Sequence, residues 1–116
     1  MSQTLEIDRR KMIDAALIDE IVSRIVANFD PEEIILFGSH ARGDARSDSD
    51  LDLLVILETD LPYMERSSLI DDLFGWHLWP MDVFVYTRFE FETDKNCLGT
   101  LISFIVKDQK VLYARR

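Results

Sequence analysis

The chain has 116 residues, with 13 Lys and Arg against 22 Asp and Glu, a net charge of −9 at neutral pH. That length gives one domain over residues 1–116, and the acidic balance lacks the basic surplus needed to track a phosphate backbone, so direct nucleic-acid binding is not expected. An apolar fraction of 47% argues against wholesale disorder, while the lack of a membrane-length apolar run or apolar leader, with Cys97 as the single cysteine, points to a cytoplasmic chain without membrane span, disulfide or Cys-based zinc site.

In chain order, residues 5–29 read as a helix. Ile13, Leu17, Ile21 and Ile25 recur every four residues, with Ile18, Val22 and Val26 widening the stripe, and Asp30-Pro31 ends it. Ile34-Ile35-Leu36-Phe37, closed by Gly38-Ser39, reads as a buried strand, and the polar stretch 40–49 as a short helix and loop. Residues 51–57, LDLLVIL, form a second strand. Asp60-Leu61-Pro62 looks like a helix start with Asp60 as its cap, and Gly75 like its stop. Residues 81–86 give a third strand, 97–107 a last helix with Cys97 in the core, and Val111 to Tyr113 an edge strand. The segment between the second and third strands is long enough for a helical crossover, so those strands should be parallel. The expected class is α+β (mixed α/β), a small mixed sheet flanked by helices.

The chemistry is concentrated in Gly38 to Val55, GSHARGDARSDSDLDLLV. Gly38-Ser39 follows one strand, and after a ten-residue spacer Asp50 and Asp52 open the next. Side chains at i and i+2 of a strand share a face, so two carboxylates point the same way and repel unless a cation lies between them. Clustered hard oxygen ligands suit Mg²⁺. Asp82 opens the third strand inside an apolar run. With strands two and three parallel neighbours, it lies beside the other two acids, and three such carboxylates suit a two-metal phosphoryl-transfer site. Gly38 allows close backbone approach to a phosphate, and Ser39 offers a hydroxyl and an N–H at the start of a short helix. Each element has an ordinary reading as well: a lone Asp-x-Asp is commonly a pair of solvated caps, and Gly-Ser is commonly a turn.

This stretch resembles the signature of the minimal nucleotidyltransferases (MNT) of the DNA polymerase beta-like superfamily: Gly-Ser, a ten-residue spacer, Asp-x-Asp, and a later Asp on a strand. Gly38, Ser39, Asp50, Asp52 and Asp82 match it position by position. The resemblance implies the nucleotidyltransferase fold and two Mg²⁺ ions at Asp50, Asp52 and Asp82. It also implies a nucleoside triphosphate held by the metals and Ser39, with Asp82 as proton acceptor. Stand-alone versions of this size are commonly antitoxins of HEPN/MNT toxin–antitoxin pairs, which transfer AMP from ATP to a tyrosine of the HEPN ribonuclease toxin. The expected partner is therefore a HEPN-domain toxin. The alternatives are neutralisation by binding alone, or nucleotidyl transfer to a small molecule or RNA.

Arg42 and Arg46 lie in the same loop, where Arg42 suits bidentate phosphate contact and solvated charge is the other reading. Asp44 and Asp48 read as turn and cap residues, and His40 and His77 as solvated or packed. Trp76 and Trp79 read as core, with a partner surface as the alternative. Any of Tyr63, Tyr86 and Tyr113 could stack on a base.

Overall fold

The computed structural model describes residues 7–115. The chain runs β1 (Ile7–Asp8), α1 (Ala15–Phe29), β2 (Glu33–Phe37), α2 (Ser39–Arg42), β3 (Leu51–Ile56), α3 (Tyr63–Phe74), β4 (Trp76–His77), β5 (Met81–Tyr86), α4 (Arg88–Asp94), α5 (Leu101–Ile105) and β6 (Lys110–Ala114). The mixed α+β class is the one expected from the sequence. Four strands make one sheet in the order β5-β3-β2-β6. β2 is antiparallel to both β3 and β6, whereas β3 and β5 are parallel, as the crossover through α3 requires. β1 and β4 pair separately, in parallel. Among the described residues no helix is long and apolar enough to cross a membrane.

The unbroken apolar runs of the strands follow from burial on both faces. Ile34, Leu36, Leu53, Val55, Val83 and Val85 pack with Leu17, Ile21 and Ile25 of α1 and with Ile70 and Phe74 of α3. On the opposite face Ile35, Leu54 and Ile56 meet Phe91 of α4 and Ile102 and Ile105 of α5. Strand alternation puts Asp52 on the face of Leu54 and Ile56, and Asp82 on the face of Phe84 and Tyr86. The acids therefore occupy the α5 side of the sheet, at the end where β3 and β5 begin.

The other end of these strands is fastened by charge. The guanidinium of Arg66, on α3, is buried. It donates to Leu61 O at 2.9 Å, to Val85 O at 3.3 Å and to both carboxylate oxygens of Glu90 at 2.6 and 3.1 Å. A buried charge is tolerable when its donors are matched in this way. Arg88 reaches Glu32 at 3.1 Å, Glu33 at 2.8 Å and Glu92 at 3.3 Å.

Several expectations are corrected. The first helix starts at Ala15 rather than residue 5: Asp14 caps it, its side chain accepting from Leu17 N at 2.9 Å, and residues 7–8 are strand. The expected start at residues 5–6 lies outside the described residues. The polar run before Ile13 has no apolar stripe to bury, so it gains nothing from coiling. Asp60 caps nothing. Pro62 holds the cap position of α3, and Gly75 ends that helix as expected. The expected helix over 97–107 shrinks to α5, because Gly99 adopts a positive φ and Thr100 starts the helix anew, accepting from Ser103 N. Cys97 is exposed instead of core. Trp79 is buried as expected, but Trp76 is 71% exposed.

Candidate active site

The parallel register sets Asp52 directly beside Asp82. Asp50 immediately precedes β3 and lies close enough to Asp82 for its charge to act on that carboxyl. Two strands thus bring the three acids named from the sequence to one end of the sheet. Their charges are felt. Burial first, and then the negative charges of Asp82 and Asp50, push the carboxyl of half-buried Asp52 above the usual range, with His40 and Arg42 pulling weakly the other way. Asp82, exposed at the rim, is also pushed up, by loss of water first and then by the charge of Asp50.

Gly38 closes the site from the side of β2. Phe37 pairs with Asp52 across the antiparallel ladder, so the following residue arrives against the Asp52 side chain. Gly38 has φ 77° and ψ −157°, a region essentially restricted to glycine. A Cβ at this position would collide with the Asp52 carboxylate and lie 3.2 Å from its Cγ. Gly38 also starts α2, its carbonyl accepting from Ala41 and Arg42, both at 3.1 Å. Ser39 opens that helix and is half-buried beside the acids' end of the sheet.

The loop back to β3 is fastened internally. His40 Nε2 lies 3.3 Å from Ser49 O, and Arg46 N donates to Ser49 Oγ at 2.8 Å. Arg42 stands next to this turn but is already held by Asp44 at 3.3 Å and Asp108 at 3.8 Å. Asp44 is thus an ion-pair partner within the loop. His77 is engaged through Nδ1 with Trp79 O at 2.6 Å, and its ring stacks on Trp79 at 3.8 Å. Tyr63 and Tyr86 pack edge to face, 5.4 Å apart, at the far end of β5 from the acids. Burial and the neighbouring Tyr63 push the Tyr86 phenol up to about 12. Neither tyrosine is placed to meet a nucleotide at the acids.

The donor set is hard oxygen throughout. Among the described residues no group of three or more His, Cys, Asp or Glu side chains is arranged to hold a metal ion. Asp52 and Asp82, in register, and Asp50, whose charge raises both of their carboxyls, are nonetheless the donor type that a hard divalent cation takes.

Comparison with known proteins places the chain in a family. The nucleotidyltransferase domain family matches residues 18–113, which takes in every residue of this site. The chain belongs to the nucleotidyltransferase family. A putative protein adenylyltransferase of Methanocaldococcus jannaschii is 48% identical over 33 residues, which is 28% of this chain and 33% of that relative's length. The match thus spans about a third of the curated relative. Among solved structures, a putative nucleotidyltransferase from Sulfolobus solfataricus superposes with a TM-score of 0.62 at 24% identity, over 86% of this chain and 79% of the other. A toxin–antitoxin solved with AMP-PNP superposes with a TM-score of 0.53 at 19% identity, over 84% and 73%. At those identities the two structures establish a shared fold. The nucleotidyltransferase fold expected from the sequence is therefore the fold observed.

One local signal and one long-range pair escaped the sequence reading. Thr87-x-x-Glu90 is a capping box, and it announces α4. The Arg66–Glu90 pair spans 24 residues and had no local signature.

Proposed function

We propose that this chain is a Mg²⁺-dependent nucleotidyltransferase that moves AMP from ATP to a protein hydroxyl, and that its acceptor is a tyrosine of a HEPN-type ribonuclease toxin. The observation that carries the reading is the in-register pair Asp52–Asp82 with Asp50 alongside and Gly38 pressed against Asp52. The family match supports nucleotidyl transfer. The adenylyltransferase relative and the toxin–antitoxin neighbour favour a protein acceptor.

Asp50, Asp52 and Asp82 would hold two Mg²⁺ ions, which when bound neutralise the charge that builds on the transferred phosphoryl group. Gly38 and Ser39 admit the triphosphate at the turn into α2, with Arg42 near it. Asp82 faces the acceptor and takes the hydroxyl proton. The acceptor oxygen bonds to the α-phosphorus, the bond from that phosphorus to the bridging oxygen breaks, and pyrophosphate leaves with the electron pair. Positioning and charge neutralisation supply most of the rate.

The test mixes the protein with ATP labelled at the α-phosphate, Mg²⁺ and a HEPN protein encoded beside it. Label should appear on a toxin tyrosine, and Asp82→Ala should stop it while the two proteins still bind. If Asp82→Ala neutralises the toxin in cells as well as wild type does, neutralisation rests on occlusion and the enzymatic reading fails. Label on RNA or on a small molecule instead would move the acceptor outside the toxin.

A further inference from the structure

Beside Gly38, on the face of the sheet that carries Asp52, a cavity of about 270 Å³ opens between the phosphate-side turn and α5. Its apolar walls are Phe37, Leu101 and Phe104, and its rim carries Arg42, Lys107 and Asp108. Gly38 lines it too, so this space and the acidic site share a wall. Phe104 is 60% exposed although it belongs to a helix whose neighbours Ile102 and Ile105 are buried. Lys107 Nζ lies 5.3 Å over the Phe104 ring. Arg42 bridges toward Asp108 across the mouth, at 3.8 Å.

We infer that this cavity seats the base of the nucleotide, with the ring stacked on Phe104. The inference rests on the nucleotidyl-transfer reading and names where that substrate's base goes. Size, chemistry and continuity converge on it. The volume lies just below the ~300 Å³ at which pockets for whole small molecules begin, which suits one flat heterocycle with its phosphates left outside. Phe104 is a mostly exposed aromatic ring, with only the mobile end of Lys107 over one face, and such rings bind bases through stacking. The two rim cations stand where the base gives way to the anionic phosphates, and the shared Gly38 leads those phosphates to the carboxylates. Asp108 contributes only acceptor oxygens when ionised. It therefore favours a base with an exocyclic amino group, such as adenine, over one that presents a carbonyl there, such as uracil.

Calorimetric titration of the full chain with MgATP, MgUTP and inorganic tripolyphosphate plus Mg²⁺ tests this without reference to turnover. Wild type should bind ATP more tightly than UTP or tripolyphosphate. Phe104→Ala should weaken ATP about tenfold, the effect of losing one base–aromatic stack, and leave tripolyphosphate unchanged. Phe104→Tyr should keep wild-type ATP affinity, and Asp108→Asn should narrow the gap between ATP and UTP. Because Phe104 is mostly exposed, an unchanged melting temperature is expected for its variants. The inference is overturned if Phe104→Ala binds ATP like wild type, or if it loses ATP and tripolyphosphate alike. It is also overturned if that variant keeps ATP but no longer holds the HEPN protein, which would make the cavity a protein-docking groove. Wild type that binds neither ATP nor tripolyphosphate would bring down the nucleotidyl-transfer reading itself, and this inference with it.

Discussion

The two ends of the β3–β5 pair use the same residue types to opposite effect. Where the strands begin, Asp50, Asp52 and Asp82 crowd together, and the carboxyls of Asp52 and Asp82 are pushed up by burial and by their neighbours' charge. Where the strands end, Glu90 is clasped by buried Arg66 and brought down to about 2, while Glu32, Glu33 and Glu92 share Arg88. One end has its charges settled within the chain. The other leaves them unsettled, with no cationic side chain hydrogen-bonded to any of the three among the described residues. Acids that raise each other's proton affinity cost stability and gain something to bind; acids paired with arginine simply hold helices to the sheet.

The largest expected effect breaks the unsettled end. Asp52→Asn should lower nucleotidyl transfer by about 10²–10³-fold, as does loss of a preorganised charge-stabilising group elsewhere. In metal-free buffer the same variant should be more stable than wild type, because it removes one of three repelling charges. The pH dependence carries the sign. A carboxyl whose folded pKa is raised binds more protons folded than unfolded, so its ionisation costs stability as pH rises from its unfolded value through its folded one. Thermal melts from pH 4 to 7 should show that downward slope in wild type, flattened in Asp52→Asn. Equal slopes in the two proteins would mean that the acids do not feel one another.

The settled end should respond with the opposite sign. Arg66→Met leaves Glu90 without its partner and should cost about 2–3 kcal/mol in urea unfolding, short of a fully buried pair because Glu90 is partly exposed. Glu90 contributes stability above its unfolded pKa near 4.5, lost as pH falls toward about 2. Acid unfolding of wild type should therefore steepen in that window, and Arg66→Met should lose the steep part while its activity per folded molecule is kept.

Gly38→Ala lies between the two in meaning. It forces a side chain into a glycine-only conformation, at about 1–3 kcal/mol, and it pushes on the Asp52 carboxylate. Stability and nucleotidyl transfer should fall together, whereas Asp52→Asn separates them. The smallest effect is Thr87→Ala, which removes half of the capping box of α4 and should cost about 1 kcal/mol by chemical denaturation, with transfer unaffected.

The sequence carried the catalytic end more plainly than the structural end. The strands at 34–37, 51–57 and 81–86 are apolar runs long enough to stand out, and the placement of Asp52 and Asp82 needs only strand alternation and a parallel crossover. The Gly-Ser and Asp-x-Asp spacing is local, so it reads directly. The fastened end is non-local. Arg66 finds Glu90, and Arg88 finds Glu32 and Glu33, only after the sheet has formed. α4 has Phe91 as its one buried residue, too little for an apolar stripe, and its single local sign was the capping box. The two-residue pairing of β1 with β4 has no periodicity to read. Cys97 was misplaced for the related reason that an apolar run continued past Gly99, which the backbone does not follow.

The parallel register has a kinetic side. β2 and β3 are antiparallel neighbours joined by the segment that holds α2, a nearer pairing along the chain than any other in this sheet. β5 must dock after α3 has crossed over, and β6 closes on β2 from far along the chain. Contact order thus predicts that Asp82 meets Asp50 and Asp52 after β2 and β3 have paired, when β5 comes into register. If the proposed divalent cation binds these acids, its presence during refolding should speed the docking of β5, read as a faster refolding phase that Asp52→Asn no longer shows.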